Sequence, residues 1–198
     1  MKTNKMDVDL TRILKKKMGS YPRVRGRYNS SEMYFINHGR GKFKTTPEKW
    51  LHPEEKDMKQ ILMMWNGIGT HNQIQTLLGG KDYKEAKVEF AYKDIILVAK
   101  ADFLPPHKAD EVWELKTSEK LMDEMKPWHE HQVKVYCTLF GKQIGMVYQP
   151  LQNADGLYLK AIGRVERDDA WFNSEMERLY QFHLEVEKLW AQGSINRV

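Results

Sequence analysis

Two apolar runs, each ending at an acidic residue, constrain this chain more than any other stretch. The first reads Ile95-Ile-Leu-Val-Ala-Lys-Ala-Asp102-Phe-Leu104, and a Pro105-Pro106 turn separates it from Glu111-Val-Trp-Glu114-Leu-Lys116-Thr117. Short runs rich in β-branched and aromatic residues between turn residues predict strands. The first is apolar enough to be buried on both faces. Side chains alternate along a strand, so Glu114 and Lys116 share a face while Leu115 points into the core. Paired as a hairpin, residues 94–104 and 110–117 lay Asp102 beside that face. Two carboxylates there hold a hard divalent cation through oxygen, with an ammonium alongside. That is equipment for hydrolysing a phosphodiester. The plain alternative for Glu-x-Lys is a structural ion pair, which gains little once desolvation is counted.

The flanks are predicted helical. Over residues 53–78, Met58, Ile61, Leu62 and Trp65 form an expected buried stripe. Met64, Ile68, His71, Gln75 and Leu78 share a face that turns His71 inward, either as a core residue or as a ligand. Gly67 and Gly69 either admit a neighbouring backbone or split the helix. Downstream, Pro127-Trp128 opens a helix with Gln132, Val135, Tyr136 and Leu139 on one stripe. A first helix begins near residue 30, with Asn29 or Ser30 as its cap. Strands are expected over 85–92, 144–149 and 156–165, with a turn at Lys93-Asp94. A long helix follows Asp168. Its stripe of Phe172, Met176, Leu179, His183, Val186 and Trp190 reads as core or as a subunit contact.

Asp102 followed by Glu114-x-Lys116 resembles the signature of the PD-(D/E)XK nuclease superfamily. His71 before these strands and Gln132-x-x-x-Tyr136 after them look like the RecB-type branch, which includes phage and CRISPR-associated exonucleases. The resemblance spans roughly residues 28–149. It implies a mixed α/β fold with a restriction-endonuclease-like αβββαβ core, a central mixed sheet flanked by helices. It implies hydrolysis of DNA by an exonuclease of recombination, repair or phage replication. Asp102, Glu114 and Lys116 would be catalytic. His71, Asp102, Glu114 and the Leu115 carbonyl would hold one or two Mg²⁺ or Mn²⁺ ions. Gln132 and Tyr136 would face the active site and help hold DNA or the catalytic lysine; Ser31, in a Ser-rich helix opening, and Arg27 would face DNA. Glu89 falls where relatives carry a metal-proximal glutamate, or is an exposed strand residue. An endonuclease of the restriction, resolvase or cap-snatching kind shares Asp and Glu-x-Lys but typically lacks Gln-x-x-x-Tyr. A non-catalytic DNA-binding protein that keeps the fold is the other alternative.

Composition bounds these readings. The 198 residues fit one domain, 28–198, behind a basic arm, 1–27, that carries Lys15-Lys16-Lys17 and Arg23, Arg25 and Arg27. The arm either touches phosphates or is a solvated tail with one short apolar turn, Leu10, Ile13 and Leu14. The net charge of +5 suits a polyanionic partner. A single cysteine, Cys137, excludes an intrachain disulfide and a four-thiolate iron–sulfur cluster. No apolar run approaches the ~20 residues that span a bilayer, and the N-terminus has no apolar secretory region. The expected location is the cytoplasm of a cell or infected host, with no membrane partner. A helicase, recombinase or single-strand-binding partner and an oligomer are compatible expectations. The loop His38-Gly-Arg-Gly-Lys-Phe-Lys44 has the glycines and cations of a phosphate grip but lacks a nucleotide P-loop pattern.

Overall fold

The computed structural model describes residues 23–79, 85–118, 120–153 and 156–192. The apolar turn at Leu10, Ile13 and Leu14 and the lysine run 15–17 lie outside the described residues. Among the described residues the fold is mixed α/β: two three-stranded mixed sheets flanked by five α-helices.

In the first sheet β1 (Arg27–Asn29) runs parallel to β3 (Ile95–Ala101), and β2 (Ala86–Tyr92) runs antiparallel to β3 on its other side. The expected turn at Lys93-Asp94 is present, with Tyr92 opposite Ile95. Lys93 adopts φ 53°, which a residue with a Cβ rarely does. Its ammonium holds the turn onto the last helix, bonding Glu177 at 2.7 Å and lying 4.1 Å from the Tyr180 ring centroid. In the second sheet β4 (Glu111–Leu115) runs parallel to β5 (Ile144–Asn153), which pairs antiparallel with β6 (Gly156–Glu166). Parallel neighbours need a crossover, and α4 (Pro127–Leu139) supplies it. Gly145 lets α4 lie close to β5: a Cβ there would sit 2.2 Å from Val133 Cγ1 and 2.9 Å from Cys137 Sγ.

The expected central sheet is divided. Among the described residues the two sheets are joined by one bridge pair, Phe103 just beyond β3 with Trp113 of β4, closed by hydrogen bonds of 3.2 and 3.0 Å. An antiparallel ladder continued from that pair would send the Leu115 N–H to the Ala101 carbonyl. Leu115 N–H instead donates to Asp102 Oδ2 at 2.7 Å, and Gln75 Nε2 donates to the Asp102 carbonyl at 3.2 Å. The Asp102 carboxylate thus stands where a strand carbonyl would, and the hairpin ends there.

α1 (Ser30–Asn37), the short α2 (Pro47–Leu51) and α5 (Asp169–Ala191) cover the first sheet. They bury Tyr28, Met33, Trp50, Leu97, Phe172 and Met176 in one cluster. The α5 stripe is core apart from Trp190, which is exposed at its end, and it also buries Glu175 and Phe182. α3 (Met58–Gly79) runs unbroken through both glycines. Its buried or partly buried positions are 58, 61, 64, 67, 70, 71, 74, 75 and 78, a helical stripe. The expected burial of Leu62 and Trp65 is overturned, since they are 43% and 54% exposed, and Ile68 also faces out. Contact with Asp102 fixes the rotation of α3 through His71 and Gln75, which puts Gly67 rather than Ile68 inside. A Cβ on Gly67 would lie 3.1 Å from Thr117 Oγ1.

Candidate active site

The divided sheet gathers polar side chains at the ends of β3 and β4. Asp102 follows the last residue of β3, and Glu114 lies near the end of β4. His71 comes from the inward stripe of α3, and its Nδ1 is 3.1 Å from Asp102 Oδ1. Asp102 therefore has one oxygen toward His71 and the other on the Leu115 amide. Glu114 and Lys116 share a face, as strand alternation requires, with Lys116 Nζ donating to Glu114 Oε1 at 2.6 Å. Lys116 Nζ also donates to Gln132 Oε1 at 2.8 Å, and Gln132 Nε2 donates to the Tyr136 hydroxyl at 2.5 Å. The Tyr136 hydroxyl further hydrogen-bonds the Ser30 side chain. One connected line thus runs from α1 through α4 to β4.

Burial sets the electrostatics. Glu114 is 5% exposed, and its Oε2 has no hydrogen-bond partner among the described residues. Desolvation, aided by the neighbouring Asp102 charge, outweighs Lys116 and pushes the Glu114 carboxyl up to about 7. Burial alone would lower the His71 imidazole; its hydrogen bond to Asp102 and the charges of Asp102 and Glu114 outweigh this and raise it. Burial, then the Glu114 charge, drives the Tyr136 phenol well above its usual range, so it stays protonated. A buried carboxylate oxygen with no donor, beside a second carboxylate and an imidazole, is a donor set that fits a hard or borderline divalent cation.

His71, Asp102, Glu114, Lys116, Gln132 and Tyr136 are brought together, and Leu115 sits among them through its amide. Three other candidates are not. Glu89 is half-exposed on β2 and ion-pairs Arg27 and Lys87, which hold its carboxyl down at about 2. Arg27 is the other half of that pair. Ser31 is exposed, whereas Ser30 is buried and reaches Tyr136. The helix opening was legible, but which of two adjacent serines turns inward depends on the helix rotation. His129 was also missed. It is half-buried, and burial, then Lys116 and Lys126, push it down to about 4, so the ring is neutral at pH 7. Its position three residues before Gln132 places both on one helix face, a spacing that pointed to it.

No family model matches the chain, and no curated protein matches it by sequence. Its fold is shared with solved structures at 10–17% identity. The crystal structure of SSO0001 aligns with a TM-score of 0.56 at 17% identity, covering 85% of this chain and 81% of that one. LHK-Exo in complex with dAMP, an alkaline exonuclease from Laribacter hongkongensis, aligns at 0.55 with 14% identity, covering 86% and 94%. A phage-related exonuclease from Haemophilus somnus 129PT aligns at 0.50 with 10% identity, covering 85% and 97%. The mixed α/β architecture of this chain is therefore similar to that of alkaline and phage-related exonucleases.

Proposed function

We propose that this chain is a metal-dependent nuclease that hydrolyses DNA phosphodiester bonds, acting as an exonuclease. The observation that carries the reading is the buried, unpartnered Glu114 Oε2 next to Asp102, His71 and Lys116. A cation is what such an oxygen lacks. Asp102, Glu114, His71 and the Leu115 carbonyl would hold Mg²⁺ or Mn²⁺. When bound, the ion supplies Lewis-acid polarisation of a phosphate and a more acidic bound water.

The chain's own residues do the rest. Lys116 has three N–H donors, and Glu114 and Gln132 take two. The third is left for a phosphate oxygen or the attacking water, where the ammonium steadies developing negative charge. Gln132 fixes the lysine's direction, and Tyr136 and Ser30 fix the glutamine. The Leu115 amide and His71 hold Asp102 in one rotamer. The likeness of the fold to exonucleases favours attack from an end.

The test uses a linear end-labelled duplex, its single-stranded form and a closed circle, each with Mg²⁺, Mn²⁺ or EDTA. Metal-dependent shortening of linear DNA, absent on the circle and absent in Lys116→Ala, is the expected result. Cutting of the circle would make the protein an endonuclease. Binding without cleavage under either metal would overturn the catalytic reading.

A further inference from the structure

Away from the Lys116 cluster, side chains from three helices converge on one oxygen. His38 caps the C-terminal end of α1, His131 lies in α4 and Glu175 in α5. His38 Nε2 is 2.7 Å and His131 Nε2 2.9 Å from Glu175 Oε2. Asn37 Nδ2 donates to that same oxygen at 2.8 Å and to the Glu175 backbone carbonyl at 3.0 Å. Glu175 is 2% exposed and His131 5%, and the three ligand atoms lie within 4.8 Å of one another.

Hydrogen bonding alone serves this arrangement unevenly. A carboxylate oxygen offers two lone pairs, yet three nitrogens crowd Oε2. Oε1 has Arg178 Nη1 at 3.6 Å. His131 Nδ1 is buried with no hydrogen-bond partner among the described residues. Two imidazole nitrogens and one carboxylate oxygen gathered within 4.8 Å of one another form the donor set of a borderline transition ion rather than of Mg²⁺ or Ca²⁺. The side not occupied by protein opens to a cleft of about 840 Å³, which His38 and His131 line together with Tyr34, Arg40, Trp128 and Trp171. Water or an anionic ligand can complete the coordination from there.

We propose that His38, His131 and Glu175 form a second divalent-metal site, of the Zn²⁺ class, separate from the Asp102–Glu114 centre and independent of the nuclease reading. Each imidazole coordinates through Nε2. A neutral ring then carries its proton on Nδ1, so the net proton count is unchanged. At His38 this requires Arg178 to leave, because its Nη1 faces His38 Nδ1 at 3.3 Å. Arg178 is half-exposed, so departure costs little packing. Asn37 remains as the hydrogen-bond donor that orients the carboxylate. The ion would tie α1, α4 and α5 at one point, on a different face of α4 from Gln132 and Tyr136.

The test is a Zn²⁺ and Co²⁺ titration of the full chain stripped with EDTA, as wild type and as Glu114→Gln, which weakens the other centre. Glu114→Gln is expected to keep one transition-metal equivalent with visible Co²⁺ absorption. Its Tm should rise by about 5–10 °C at hundredfold Zn²⁺ over the dissociation constant. His38→Ala in that background should weaken binding at least tenfold and remove the Co²⁺ bands. Arg178→Ala, which removes a surface cation and leaves the three ligands intact, should bind several-fold tighter. Metal bound equally well with His38→Ala, no metal bound by Glu114→Gln, or an unchanged affinity in Arg178→Ala would each overturn the proposal. The last decides the matter if His38→Ala does not fold.

Discussion

Glu114 and Glu175 are both buried carboxylates, yet they are pushed in opposite directions. Glu175 is held at about 2, while Glu114 is raised to about 7. At Glu114 desolvation outweighs a single lysine; at Glu175 hydrogen bonds from His131, Asn37 and His38 outweigh burial. Glu175 Oε2 has Asn37, His38 and His131 around it. Glu114 has one lysine on Oε1 and nothing on Oε2. Donors from the chain stabilise the charged form of Glu175, whereas Glu114 keeps one oxygen that no donor among the described residues reaches.

The largest way to probe this contrast is Lys116→Ala. It removes the ammonium beside Glu114 and should reduce cleavage by about three decades, a loss of about 4 kcal/mol of transition-state stabilisation. Circular dichroism should show the fold intact. Glu175→Gln comes next. Replacing the charged acceptor of a buried network should cost about 3 kcal/mol in urea unfolding. Glu114→Gln, which removes an under-served charge, should stay within about 1 kcal/mol of wild type. Equal destabilisation of the two variants would break the comparison.

The pH dependence sharpens it. The Glu175 carboxyl is depressed from its ordinary 4.5 to about 2. Between those values the unfolded chain binds the extra proton, so this stabilisation is present above pH 4.5 and is lost as pH falls toward 2. Glu114 is raised from 4.5 to about 7, so in that window the folded chain binds the extra proton. Stability should then fall as pH rises from about 4.5 to 7. His71, also raised, extends the decline above its ordinary 6.5. Denaturation midpoints in EDTA across pH 5–8 should show this slope, and Glu114→Gln should flatten it. The smallest expected effect is that of Tyr136→Phe. Losing one hydroxyl from the support of Gln132 should cost about 1 kcal/mol in stability and about fivefold in rate. A loss as large as that of Lys116→Ala would move Tyr136 from support into the chemistry.

The Asp102, Glu114 and Lys116 constellation was legible because strand alternation is local: two residues apart means the same face. The α5 stripe and the turn at Lys93 were legible for the same reason. The rotation of α3 was not. Its apolar residues run around most of the helix, so Leu62 and Trp65 looked as suited to the interior as Ile61. Tertiary contacts select the inward face: His71 and Gln75 on Asp102, and Ile74 and Leu78 against Phe103, Trp113 and Leu115. The Ser30 and Ser31 choice failed by the same one-residue rotation. The His38, His131 and Glu175 convergence leaves no local pattern, since its members come from three helices far apart in sequence. The division of the sheet was hidden for a different reason. A carboxylate accepting the Leu115 amide looks, in sequence, like any other strand end.

That hydrogen bond has a mechanical meaning. The two sheets meet along a seam whose ladder is a single residue pair, and Asp102 lies on one side of it with Glu114 on the other. Any shear between the sheets would pull the two carboxylates apart before it disturbed either sheet's own ladder. The site is thus a property of the joint rather than of either half. In folding terms, docking the halves and assembling the site are one event, and the amides of Phe103, Trp113 and Leu115 report on both.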